Sequence, residues 1–511
     1  MLTPSTPARR RWLGALSGAL LLAAAFPPSP LGILAFPALA LLLHSLEDDA
    51  GFGVWFAAGL LFFGLTVSWI GLNTDPPPLL AAASGAGAVA WLALLWGVTG
   101  GLLAWLRRRL GPAALWLTPP LWTSVDWLVE GTEMGFPWAL AGATQVGNPL
   151  LRPLAALGGI HALTLALLLG SLLLLRLAQS RGRNRWAWGG LALWLALTPL
   201  LGRLARGDAR DSGDVLEVLI VQGDIDPEEK WNRPWVDTVM RHLDLTRQAL
   251  EGGARPELVI WPETAVPTRL RHRPQLMGLL AEFCADNRLA LLTGANDGET
   301  RQGDGGKPYN GSFLFTGAGL VDDYRKVRLV PFGERVPGQR WLPVLGRINL
   351  GQAEFAPGTD LAAGRLPRAD GDSLRFSWSI CFEGNFAEPT RTMVRDGAVL
   401  LTNQTNDAWF GTSRELDQHL ALSRLRAVET GRWLVRACNN GYSAAVDPRG
   451  RVAQALPKGG SGTLSVSVPL REGDTFHTRF GDLLPRLCLL GSSWGLLLAL
   501  LGGRRRREAT A

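Results

Sequence analysis

Three short segments, far apart in the chain, carry an acid, an amine and a thiol in settings suited to chemistry. Glu263 closes Trp261-Pro-Glu263 directly after the apolar run Leu258–Ile260. A carboxylate at a strand end, set by a proline, is well placed to take a proton, although alone it is equally a surface loop acid. Lys326 follows Tyr324-Arg325 and precedes Leu329-Val-Pro-Phe-Gly-Glu-Arg-Val-Pro337. Of 51 lysines and arginines only four are lysines (Lys230, Lys307, Lys326 and Lys458). A lysine kept against that bias suggests a position that wants a compact point charge. Cys381 ends Ser377-Trp-Ser-Ile-Cys381 and precedes Phe382, Glu383 and a predicted helix near 386–396. A thiol at a strand-to-helix turn lies near helix N–H groups, which favour the thiolate, although alone it reads as well as a buried structural cysteine.

Together the three types suit covalent catalysis. A thiol at its ordinary value near 8.5 is only a few per cent ionised at pH 7, and a carboxyl near 4.3 lies about four units, roughly 5.7 kcal/mol, short of taking its proton. A site that uses both must narrow that gap by burying the acid and by setting a cation beside the developing anion.

The 511 residues are 47% hydrophobic and 19% charged, with a mean hydropathy of +0.13. Those values exclude a disordered chain, a coiled coil and a small disulfide scaffold. Four cysteines form no C-x-x-C, and six histidines show no ligand spacing, so neither a metal nor another cofactor is expected. Gly491-Ser-Ser-Trp-Gly495 matches G-x-S-x-G but lies in an apolar run with no strand before it, where small residues serve helix packing. His44 and Asp49, at an acyltransferase-like spacing, read as a solvated helix end.

A bilayer core needs about 20 apolar residues per helix. Eight runs approach that length, at 12–27, 30–46, 52–72, 79–106, 112–128, 158–175, 186–202 and 484–502. The positive charge gathers between them, at Arg9–Arg11, at Arg107–Arg109, at Arg176 with Arg181, Arg183 and Arg185, and at Arg504–Arg507. The net charge of +7 is therefore a topology signal and not a nucleic-acid patch. The short loops near Pro27–Pro30, Asn73–Pro78 and Val129–Leu157 hold only Arg152. Both termini are then expected in the cytoplasm, with the stretch between runs seven and eight facing outward. The division is residues 1–203 with seven spans, 204–483 as one soluble domain, and 484–511 with the eighth span and a basic tail.

Within 204–483 strands and helices alternate. Strands are expected at Val215–Gln222, Leu258–Trp261, Leu289–Thr293, Gly311–Phe315, Leu374–Ile380, Val399–Asn403, Trp433–Cys438 and Ser443–Val446, and helices over 234–252, 274–287 and 413–430. That pattern predicts a layered α/β domain. Cys438, on a late strand, reads as core filler.

In this order the three segments resemble the nitrilase superfamily, whose triad is Glu, Lys and Cys. Within it the chain looks most like the bacterial apolipoprotein N-acyltransferases. Gly135-Phe-Pro-Trp138, Val221-Gln-Gly223, Lys230-Trp231, the Leu329–Pro337 segment, Cys381-Phe-Glu383 and Asn406-Asp-Ala-Trp-Phe-Gly411 carry that likeness. The resemblance implies eight membrane helices with an αββα nitrilase-like domain inserted before the last. It also implies Glu263 as base, Lys326 as oxyanion partner and Cys381 as nucleophile. Glu334 and Glu383 would support the site, and Trp231 would meet substrate on a mobile arm. Phe382 departs from the family's usual Tyr and removes a hydroxyl. The implied partners are a membrane phospholipid, phosphatidylethanolamine-like, as acyl donor and the N-terminal diacylglyceryl-Cys of an apolipoprotein as acceptor, at the bacterial inner membrane with a periplasmic domain. A membrane-tethered amidase acting on a small amide would use the same triad, although one span would anchor it. A transporter would place ionisable groups within its spans, whose cores here are nearly free of charge.

Overall fold

The computed structural model describes residues 7–46, 51–74, 77–298, 308–339, 341–347, 353–368 and 371–508. The chain forms two compact units, one of Met1–Leu72, Ala81–Ala205 and Phe480–Ala511, the other of Asn73–Leu80 and Arg206–Arg479. Asp49 lies outside the described residues.

Each of the eight apolar runs coincides with a helix: Pro7–Ala25, Ala35–Ser45, Phe52–Thr66, Pro78–Leu110, Thr118–Glu130, Ala155–Gln179, Arg185–Leu204 and Leu483–Glu508. Four stretches among the described residues are long and apolar enough to cross a membrane: Pro78–Leu110, Arg152–Gln179, Arg185–Leu204 and Leu483–Gly502. Gly32–Ser45 and Phe52–Thr66 are apolar but shorter. Small residues set the helix spacing. A Cβ at Gly59 would come within 2.8 Å of the Ala93 Cα, so helices Phe52–Thr66 and Pro78–Leu110 touch there. Ser492 of the G-x-S-x-G sequence sits inside the last helix and donates its hydroxyl to the Cys488 carbonyl at 2.8 Å, the ordinary local bond of a helical serine.

The second unit holds two six-stranded sheets. The strands, in chain order, are β1 (Arg210–Gln222), β2 (Leu258–Ile260), β3 (Ala290–Gly298), β4 (Pro308–Thr316), β5 (Gly319–Arg325), β6 (Gly364–Pro367), β7 (Ser373–Ser377), β8 (Leu400–Thr405), β9 (Trp433–Cys438), β10 (Ala444–Val446), β11 (Val452–Ala455) and β12 (Gly462–Glu472). The first sheet runs β12-β1-β2-β3-β4-β5 and the second β11-β10-β9-β8-β7-β6. Three parallel strands lie inside each, β1, β2 and β3 in one and β7, β8 and β9 in the other.

Side chains alternate between sheet faces. Leu216, Val218 and Ile220 of β1 pack in one core with Phe376, Leu400 and Leu434 of the second sheet. Leu219 and Val221 point the other way, onto Val239 and Leu243 of helix Trp235–Glu251 and Leu276 and Leu280 of helix Pro274–Asn287. Helices Ala387–Arg395 and Glu415–Thr430 pack against β7 and β9. The result is the expected αββα sandwich. Burial on both faces explains why β1 and β2 read as unbroken apolar runs.

One expectation needs correction around Cys381. The strand expected over Leu374–Ile380 ends at Ser377, and Ile380 makes only an isolated bridge to Gln404. The helix expected near 386–396 is present as Ala387–Arg395. A short 3-10 turn, Cys381–Asn385, precedes it.

Candidate active site

The two sheets are stitched where their parallel strands end. Gln404 of β8 donates to the Trp261 carbonyl at 2.6 Å and accepts from the Ser312 hydroxyl of β4. Around that junction the three segments of the sequence reading meet. Glu263 follows β2, Lys326 follows β5, and Cys381 lies beyond β7.

Glu263 and Lys326 are buried. The Lys326 ammonium lies 2.8 Å from Glu334 Oε1 and 3.7 Å from Glu263 Oε1. The remaining acceptor capacity of Glu263 is filled by Asn310 Nδ2, donating to Oε1 at 2.6 Å, and by the Asn406 backbone N–H, donating to Oε2 at 2.9 Å. Glu334 takes the Val330 N–H on its other oxygen at 2.8 Å. Burial alone would pull the Lys326 ammonium down. The negative charge of Glu334 and Glu263, with the Cys381 sulfur, outweighs that and holds it above its usual value.

Cys381 adopts a left-handed backbone, φ 51°, a conformation that costs a non-glycine residue about 1–3 kcal/mol and persists only where neighbours impose it. Its carbonyl accepts from His419 Nε2 at 3.3 Å and Asn403 Nδ2 at 3.5 Å. Burial pushes the thiol well above its ordinary value, and Glu263 adds to the rise, while Lys326 and a hydrogen bond with the Thr405 side chain pull the other way. The helix-terminus argument for a resting thiolate therefore fails. Desolvation dominates, and the resting sulfur is a thiol that needs a base.

Glu383 is fully buried and braces the turn from inside. One oxygen accepts from the Tyr324 hydroxyl at 2.7 Å and from the N–H groups of Val327 and Arg328 at 2.9 and 3.1 Å. The other accepts from the Ile380 N–H at 3.2 Å. It ties the residues after Lys326 to the residue before Cys381. Phe382 is buried with its ring edge-on to Phe386 at 5.2 Å, so it packs where the family's tyrosine would offer a hydroxyl. Trp231, 46% exposed, rides on the short helix Pro227–Asn232.

Sequence reasoning missed the polar layer beneath the thiol. Asp407, just past β8, pairs with Arg436 of β9 at 2.7 Å and with His419 of helix Glu415–Thr430 at 3.1 Å. Cys438 is more than core filler. Its sulfur lies 3.4 Å from Asp407 Oδ2 and accepts from the Gly441 N–H at 3.0 Å. Asp407, Glu415 and His419 bring ligand-type atoms within 4.8 Å of one another. The Arg436 guanidinium bonds to Asp407 at 2.7 Å, which supplies the positive charge that a metal would bring. Asp407 stands 12 positions from His419 and 29 from Arg436, and although it lies in the Asn406–Gly411 motif, nothing local ties it to those partners. Asn310 lies just before the expected strand Gly311–Phe315 and carries no sign of its partner in the sequence.

A half-buried thiol beside a hydrogen-bonded carboxylate and an ammonium can carry out nucleophilic acyl transfer. The carboxylate takes the thiol proton, the sulfur attacks a carbonyl, and the ammonium faces the anion that forms.

Comparison with known proteins gives the same direction. Residues 219–477 match the carbon-nitrogen hydrolase family and residues 18–173 match the apolipoprotein N-acyltransferase N-terminal domain. An apolipoprotein N-acyltransferase of Geobacter metallireducens is 31% identical over 98% of this chain and 96% of its own. Its counterpart in Pseudomonas paraeruginosa is 34% identical over 98% of each, and that of Chlorobaculum tepidum 33% over 97% of each. Among solved structures, an amidase from Nesterenkonia sp. matches 51% of this chain and 92% of its own, at 20% identity and a TM-score of 0.38.

Proposed function

The chain belongs to the apolipoprotein N-acyltransferase family, in the nitrilase superfamily, and from that premise we propose that Cys381 carries an acyl chain from a membrane phospholipid to the N-terminal amine of a lipoprotein. The observation that carries the assignment is the Lys326 ammonium, buried and 3.7 Å from one carboxylate while held at 2.8 Å by another, beside a desolvated thiol.

Glu263 takes the Cys381 proton as the sulfur attacks an ester carbonyl of the donor. Lys326 stabilises the tetrahedral oxyanion. Collapse expels the alkoxide of the lysophospholipid, which leaves with the proton from Glu263, and a thioester remains on Cys381. The α-amine of the diacylglyceryl-Cys, with an ordinary pKa near 7.7–8.0, is partly neutral at pH 7 and attacks the thioester. An amide forms, and the thiol returns. Two half-reactions through one covalent species give ping-pong kinetics. Glu334 orients Lys326, Glu383 braces the turn, and Trp231 meets substrate. The donor is phosphatidylethanolamine-like, used chiefly at sn-1.

The enzyme is a membrane protein. We read its eight helices as eight spans of the bacterial inner membrane, with residues 204–483 periplasmic and both termini cytoplasmic, as the arginine distribution favours. Lifting a 16-carbon chain fully into water would cost ~12 kcal/mol at about 0.8 per CH₂. The helices keep the reaction where that chain stays covered.

The test is intact-mass analysis of the full chain after incubation with phospholipid vesicles. The wild type gains one acyl mass, and Cys381→Ser gains none as a hydroxylamine-labile thioester. A wild type that stays unmodified, while hydrolysing small amides, overturns the proposal in favour of an amidase.

A further inference from the structure

The mechanism above uses Glu263, Glu334 and Lys326, two carboxylates against one ammonium. With Glu263 and Lys326 buried and Glu334 only partly exposed, that set carries one uncompensated negative charge, which low-dielectric surroundings make costly. The compensating charge is present. Lys230, only 3% exposed, extends from the helix Pro227–Asn232 and donates to the Glu263 backbone carbonyl at 3.3 Å and to the Thr264 hydroxyl at 2.5 Å. It is bonded to the base's own peptide, in a turn where Thr264 is also left-handed, φ 49°. The neighbouring residue on its helix is Trp231.

We propose that Lys230 is a positioning residue of the reaction: its buried ammonium neutralises the second carboxylate of the centre, keeps Glu263 open to accept a proton, and ties the Trp231 helix to the turn that carries Glu263. The charged and titratable groups around it fit this role. Glu263, Glu334, Lys326 and Cys381 lie on the active-site side. On the other side, burial pulls His242 down to about 4, so it stays neutral, and the Arg241 guanidinium is engaged by the Gly223 carbonyl at 2.6 Å. Burial also lowers the Lys230 ammonium to about 8, with Glu263 acting against the fall, so the charge is present at neutral pH. Without it, the two carboxylates of the centre face one ammonium alone, and proton uptake by that pair blocks the base on the acid side of the pH profile.

This inference rests on the reading that Cys381 is acylated with Glu263 as base, so the test reports on both. The full-length enzyme is mixed with phosphatidylethanolamine–phosphatidylglycerol vesicles, and the initial rate of thioester formation is followed by intact mass from about pH 5 to about pH 9. Lys230→Gln keeps two hydrogen bonds but no charge. It is expected to slow the reaction about tenfold on the acid side and to approach the wild-type rate at the alkaline end. Lys230→Arg keeps the charge and is expected to keep the wild-type acid limb. If the glutamine variant does not accumulate as folded protein, Lys230→Met gives the same reading. A neutral variant that follows wild type at every pH, or falls by the same factor at every pH, overturns the role. A wild type that forms no thioester overturns the parent reading instead.

Discussion

At the residue scale the decisive fact is that Cys381 is pushed up by burial rather than down by a helix end. A raised thiol is protonated at neutral pH, and its thiolate fraction grows only as pH climbs toward that raised value. Nucleophile formation therefore depends on the base. Glu263→Gln is expected to slow thioester formation by about 10²–10⁴-fold at neutral pH. The residual rate should climb about tenfold per pH unit on the alkaline side, as solvent takes over the deprotonation. Wild type should show no such climb there. The check is the pH profile of the mass shift on Cys381. A glutamine variant with a flat profile would mean that the sulfur is already ionised and the base dispensable. Lys326→Met removes the ammonium that Glu263 and Glu334 share, a change expected to destabilise the fold by about 3–5 kcal/mol. Its measurement is thermal unfolding alongside the loss of acylation.

At the scale of elements, the site depends on β3 passing close behind the turn that carries Glu263. A Cβ at Gly294 would fall 2.6 Å from the Thr264 N, 2.7 Å from the Glu263 Cα and 2.8 Å from the Pro262 carbonyl oxygen. All three are backbone atoms that cannot swing aside. Gly294→Ala is expected to displace the base, costing about 1–3 kcal/mol in stability and on the order of 10²-fold in kcat, with Lys326 and Cys381 unaltered. An alanine variant with wild-type kcat would show that the turn tolerates movement. The elements visible in the sequence were those whose faces are both covered. β1 over Val218–Val221 and β2 over Leu258–Ile260 are apolar without a break, and that continuity is readable. β12 alternates exposed and buried residues, includes Pro469 and lies at a sheet edge, while all four residues of β11 are exposed. Neither offers an apolar run. The helix Pro227–Asn232 is too short to show a period. The same limit hid the support of the site. Glu263 and Cys381 each follow a largely apolar segment and Lys326 is one of four lysines, so they stand out, whereas Asn310, His419 and Arg436 acquire meaning only from partners on neighbouring strands and helices.

At the scale of the whole molecule, a soluble-looking catalytic fold must meet a donor that never leaves the bilayer. The segment from Trp341 to Leu345 is suited to that task. Trp341 is 78% exposed, Leu342 56% and Val344 53%, on a proline-containing turn outside both sheets. Exposed Trp, Leu and Val on one short stretch favour an interface between water and lipid. Burying such side chains contributes about 1.5–3 kcal/mol each when complete, and partial insertion of three gives on the order of 2–3 kcal/mol in all. Replacing Trp341, Leu342 and Val344 by Ser should therefore raise KM for vesicle phospholipid by about 30- to 100-fold. The rate of Cys381 alkylation by a small water-soluble electrophile should stay unchanged, because the thiol and its base are untouched. If KM for the lipid does not move, the segment packs without meeting the bilayer. The apolar helices would then be the part of the protein that draws the donor to the thiol.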